Sequence, residues 1–162
     1  MSKVERAIFR LDEDLYPNTV TGKNKTDGEL ENGAFVEIGA LEDNELGRET
    51  YKLTKLTADS GVKKQIGFVS SPALMYDERQ DERDFVCAQD ELIRVYKPNS
   101  STIGTFALKH FDNGASLEAG DLLTPKATTT QLTKVTGDEK VVAQVMLKED
   151  FEGQESLVIK FL

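Results

Sequence analysis

Two stretches of this chain, LTKLTADSGVKKQIGF at Leu53–Phe68 and LTKVTGDEKVVAQVML at Leu132–Leu147, align without a gap at an offset of 79. Leu53 matches Leu132, Thr54 matches Thr133, Lys55 matches Lys134, Leu56 matches Val135, Thr57 matches Thr136 and Asp59 matches Asp138. The correspondence continues through Val62 and Val141, Gln65 and Gln144, Ile66 and Val145, and Phe68 and Leu147. Each copy sets apolar-bearing runs on either side of a turn containing Asp, so each predicts a β-hairpin. A short L-E-x-G precedes each copy: Leu30-Glu31-Asn32-Gly33 and Leu117-Glu118-Ala119-Gly120, offset by 87. The first copy therefore holds eight extra residues between Gly33 and Leu53. Neither copy carries a reactive residue. A repeated β unit of this kind points to a structural or binding role, not to an enzyme.

Working outward, strand signals dominate from Gly33 onward. Ala34–Ile38 lies between two glycines, Tyr51–Thr57 and Lys64–Val69 form the first repeat, and Leu92–Tyr96 and Ile103–Lys109 follow. Gly120–Thr124, Thr130–Thr136 and Val141–Leu147 supply the second copy. Ser156–Leu162 puts Leu157, Ile159 and Phe161 on one face, and a terminal strand so apolar is expected to dock inside a sheet. The expectation is a mainly β protein, a small sandwich or barrel-like body with two related hairpin units and an extended N-terminal arm. That body spans 33–162, and two lobes, 33–76 and 92–162, joined by an acidic segment at 77–91, are one arrangement of it.

Residues 1–32 form the arm. Val4, Ile8, Leu11 and Leu15 have helical spacing, whereas Ala7, Phe9 and Leu11 alternate as on an edge strand, and both readings stay open. Tyr16–Asn32 turns to Pro, Asn, Thr, Gly, Lys and Asp, the composition of a long loop that orders against a partner. The apolar residues ahead of it, Ile8, Phe9, Leu11 and Tyr16, are the candidate partner-contacting residues.

Charge narrows the partners. The chain has 162 residues and a formal charge of −9, a field that repels phosphate backbones and anionic lipid. No nucleic-acid or membrane partner is expected. One cysteine, Cys87, excludes an intrachain disulfide and fits synthesis in a reducing compartment. No apolar run reaches the roughly 20 residues that span a bilayer, and the charged N-terminus does not read as a signal peptide.

Catalytic and metal signatures find no support. The single histidine, His110 in FALKHFDNG, leaves no HExxH and no Cys₂His₂ set, and it reads as a partly exposed residue at a strand end. Cys87 in DFVCAQD reads as core packing. There is no GxxxxGK[ST] and no GxGxxG. The acids Asp77, Glu78, Asp81, Glu82 and Asp84 lack the spacing of a calcium loop and read as a solvated segment. Catalytic residues, cofactors and metals are all expected to be absent.

Three stretches resemble the decoration, or head-auxiliary, proteins of tailed bacteriophages, which bind the outside of an HK97-type capsid shell. They are ENGAFVEIGAL at Glu31–Leu41, YKLTKLTADSGVKKQIGFV at Tyr51–Val69, and the block from SPALMYDERQDERDF through IRVYKPNSSTIGTFAL to LEAGDLLT. The chain departs from the lambda type in its length and its second hairpin copy. The resemblance implies a virion protein, made in the bacterial cytoplasm and carried on the capsid exterior. It also implies an arm that orders against the major capsid protein, a β body that clamps neighbouring subunits, and self-association on the shell. A tail-tube or baseplate β protein and a carbohydrate-binding β module are the alternatives. The second would want an aromatic platform, and the chain has no Trp and four Tyr.

Overall fold

The computed structural model describes residues 9–13, 19–43, 50–70, 86–100, 102–151 and 153–162. The described strands are, in chain order, β1 (Phe9–Glu13), β2 (Thr19–Asn24), β3 (Leu30–Glu31), β4 (Phe35–Leu41), β5 (Thr50–Thr54), β6 (Gln65–Val69) and β7 (Val86–Cys87). They continue as β8 (Leu92–Tyr96), β9 (Ile103–Ala107), β10 (Leu122–Pro125), β11 (Leu132–Lys134), β12 (Ala143–Phe151) and β13 (Gln154–Phe161). Two short 3-10 turns, Leu108–His110 and Gly114–Ser116, link β9 to β10. The protein is mainly β, as the sequence predicts.

Five strands close a barrel in the order β2-β5-β4-β6-β8. β2 and β5 run parallel, and every other pair in the barrel is antiparallel. Strand alternation sorts the side chains. Val36, Ile38, Leu53, Val69, Ile93 and Val95 fill the barrel with Leu30, Ala34 and Cys87, whereas Phe35 and Phe68 belong to the core shared with the second sheet.

That second sheet has the order β1-β9-β13-β12-β10-β11. A parallel bridge between Phe111 and Leu132 brings the chain leaving β9 against the outer edge of β11. The circuit β9-β11-β10-β12-β13 thereby repeats the barrel's circuit β2-β5-β4-β6-β8. The turns match as well. Ala34 N–H donates to Glu31 O and Asp121 N–H to Glu118 O, both at 3.1 Å. Gly33 and Gly120 take φ of 90° and 95° at the third turn position, as a type II turn requires.

Register is preserved on one side of the repeat. Ile38 lies opposite Leu53, and Pro125, 87 residues after Ile38, lies opposite Leu132. Lys25 N–H donates to Leu53 O at 2.9 Å, and Asp112 N–H donates to Leu132 O at 2.8 Å. The other side slips by three residues. Gly33 N–H donates to Val69 O, and a strict repeat would have Gly120 N–H donate to the carbonyl of Lys148, 79 residues after Val69. It donates to Val145 O instead.

The expected hairpins are corrected. β5 and β6 are not neighbours, because β4 lies between them, and β10 lies likewise between β11 and β12. β4 buries residues on both faces, Phe35 and Glu37 on one and Val36 and Ile38 on the other, which suits a central strand. The connection from β5 to β6 is anchored by the buried Glu37 carboxylate, which accepts from Thr57 Oγ1 at 2.7 Å and Ser60 Oγ at 2.9 Å.

The loop reading of Tyr16–Asn32 is corrected over Thr19–Asn24, a barrel strand. Its glycine explains the loop-like composition. A Cβ on Gly22 would come within 2.5 Å of the Leu53 side chain, so only Gly lets β2 lie this close. Asn24 is buried and ties the following turn to β7, its Nδ2 donating to Gly28 O at 2.9 Å and Cys87 O at 3.1 Å. The N-terminal ambiguity resolves in part: Phe9–Glu13 is an edge strand paired with β9.

Candidate functional site

The two sheets meet in an aromatic seam. Phe35 stands 5.0 Å from Phe106 and 5.8 Å from Phe111, centroid to centroid. Phe68 stands 5.1 Å from Phe106 and 5.9 Å from Phe161, and Tyr96 stacks on it at 5.1 Å. Leu56 and Ile66 enter the same core as Leu117, Leu123, Leu132, Leu157 and Ile159. Each buried ring of this size contributes roughly 1.5–3 kcal/mol by area. The seam joins the two copies into one body.

His110 sits at one end of the seam and is buried, not partly exposed as its strand-end position predicts. The 3-10 turn after β9 turns it inward. Burial, with the Lys109 charge second, pushes its pKa down to about 3, against a hydrogen bond to the Asn32 backbone that favours protonation. The neutral ring is a poor base at pH 7. Beside it Lys109 pairs with Glu31, and Gln131 Nε2 donates to Lys109 O at 2.9 Å. This turn docks the second copy onto the L-E-x-G turn of the first. A cleft of about 350 Å³ opens there, lined by Asp27, Glu29, Lys55 and Thr128–Gln131 among others.

Cys87 is buried in the barrel, and burial followed by the Glu91 charge pushes its thiol pKa up to about 11. That fits packing and argues against a nucleophile. Among the described residues, no three His, Cys, Asp or Glu side chains gather closely enough to hold a metal ion. The acids from Asp77 to Asp84 lie outside the described residues.

Of the candidate contact residues, Ile8 and Tyr16 lie outside the described residues. Phe9 and Leu11 fall on β1, opposite Phe106 and Gly104 in the backbone register. A different surface emerges on the second sheet. Leu122, Met146 and Leu147 are 39%, 45% and 51% exposed, a concentration that reading the chain strand by strand does not reveal. The signal for it is the 87-residue offset, which sets Leu122 where Phe35 stands in the first copy.

No family model matches this sequence, and no curated protein matches it. Among solved structures, the crystal structure of the head fiber gp8.5 N base of bacteriophage phi29 aligns with 91% of this chain and 95% of its own. The TM-score is 0.45 and the identity 9%, a similarity in outline that assigns no function.

Proposed function

We propose that the chain is a structural virion protein of a tailed bacteriophage, one that binds the outer surface of an HK97-type shell and stabilises the head. The observation that carries this reading is the fusion of two like β units through one aromatic seam. Such a body is stiff enough to bridge neighbouring subunits of a lattice, and it needs no chemistry. Its partner is the major capsid protein. Many weak contacts, one set per lattice position, add up to a stabilised shell by multivalency. The formal charge of −9 keeps the protein off the packaged genome. β1, at the edge of the six-stranded sheet, carries Phe9 and Leu11 of the N-terminal contact segment.

Light scattering on the purified protein, alone and mixed with undecorated shells, followed by pelleting, tests this reading. Co-pelleting at a fixed ratio is the expected result. Assembly into rings or tubes without shells would indicate a tail component instead. A protein that ignores shells overturns the reading. Deleting residues 1–18, which stops short of β2, is expected to weaken pelleting, and unchanged pelleting would remove the N-terminal contact.

A further inference from the structure

The cleft where the second unit docks onto the first contains a buried acceptor with nothing to accept. His110 belongs to its lining and is 3% exposed. The bond between its ring and the Asn32 backbone favours the protonated form, so a ring N–H donates to that carbonyl. The donor is Nδ1, because Nε2 is buried with no hydrogen-bond partner among the described residues. A neutral imidazole that donates from Nδ1 keeps a bare lone pair on Nε2. Burying such an acceptor unmet is costly, and it asks for a donor. Nε2 is shielded from solvent by its neighbours, and two of the lining side chains are long and mobile in kind. Lys109 and Glu31 pair there with side chains 29% and 35% exposed, and an exposed ion pair opens at little cost. Further groups in the lining mix acceptors with donors. The exposed Glu29 carboxylate has no partner among the described residues, and Gln131 gives its Nε2 to Lys109 O but leaves its Oε1 open. The Thr130 hydroxyl is likewise without a partner among the described residues, and Lys55 has three N–H groups and meets Asp27 at 2.6 Å.

We propose that this cleft binds a neutral mono- or disaccharide, with one sugar hydroxyl donating to His110 Nε2 and others meeting Glu29 and Thr130. Each sugar hydroxyl both donates and accepts, which suits a lining where the two kinds of group are interleaved. A cleft of about 350 Å³ is at the small end of ligand sites, the size for one or two sugar rings. An ammonium or guanidinium only donates, and the charges of Lys55 and Lys109 stand against it. A phosphate or carboxylate only accepts, and Glu29 and His110 Nε2 stand against that. No Phe, Tyr or Trp lines the cleft, so the sugar is held by hydrogen bonds without stacking. Affinity is therefore expected near the millimolar range. The site does not depend on the virion role.

His110 is the single histidine of the chain, so nitrogen NMR of the imidazole reports this site alone. The probes are the methyl glycosides of glucose, galactose, mannose and N-acetylglucosamine, each at about 10 mM. At least one is expected to move the Nε2 resonance upfield, as a lone pair does on accepting a hydrogen bond, while Nδ1 stays in place. Glu29→Gln, on the exposed rim, is expected to weaken that response about tenfold. An unmoved Nδ1 resonance in the variant shows that the ring is still seated against Asn32. Methylammonium chloride is run alongside, and a response to it and to no glycoside would make the ligand a cation and overturn the inference. A spectrum that no glycoside moves overturns it, as does one in which backbone signals shift elsewhere and Nε2 does not. Equal binding by the Glu29→Gln variant overturns the proposed pose. No shell enters this experiment, so its failure leaves the virion role standing, and failure to pellet with shells leaves this site standing.

Discussion

Gly120 and His110 show how much a single residue can decide. Gly120 adopts φ 95°, and a Cβ added there would meet no heavy atom within 4 Å, so Gly120→Ala costs only backbone strain. About 1–2 kcal/mol of lost stability is expected, read as a shift in the urea midpoint. His110 has a folded pKa of about 3, below its unfolded value of roughly 6.5. The unfolded chain therefore binds the proton first as pH falls. The stability His110 allows is complete above about pH 6.5 and is lost on the way down to about pH 3, by about 3 kcal/mol between pH 7 and pH 4. His110→Leu should flatten the stability–pH curve across that window, and an unchanged slope would contradict the burial. The sequence exposes neither property of His110, because burial comes from the docking of two distant segments. Gly33 and Gly120 are readable as turn residues from the repeated L-E-x-G alone.

Strands show a sharper division between what local pattern encodes and what it leaves open. Apolar alternation places Leu157, Ile159 and Phe161 on one face of β13, and all three are buried. Alternation says which face a residue takes, not which strand lies alongside, so nothing local announces β4 between β5 and β6. β2 reads as a loop for the same reason that it packs as a strand, since Gly22 has no side chain to hold Leu53 away. The repeat also leads to an asymmetry between aligned positions. Phe68→Ala should cost about 3–5 kcal/mol, as a fully buried ring in the seam. Leu147→Ala, at the position aligned with it in the sequence, should stay within about 0.5 kcal/mol. Denaturant unfolding of the two variants checks this, and similar losses would mean that Leu147 is packed.

At the scale of the whole molecule, the seam makes the two units interdependent. Phe35, Leu56, Ile66 and Phe68 of the first unit share a core with Phe106, Phe111, Leu132 and Ile159 of the second. One cooperative unfolding transition is therefore expected, with fluorescence and circular dichroism changing together. Two separated transitions would show that the units are independent lobes. The duplication is visible in the sequence because Leu53–Phe68 and Leu132–Leu147 still match position by position at their apolar and turn residues. The shared core is not, because no periodicity records that Phe35 and Phe68 face a partner sheet. Leu122 stands where Phe35 does in that interface, and its exposure beside Met146 and Leu147 emerges only once the strands are in register. Whether this fused body sits on the outside of a phage shell is tested most directly by a cryo-electron-microscopy difference map between shells with and without the protein. Added density is expected at regular lattice positions on the outer surface. A map with no added density, or with density only inside the shell, would contradict it.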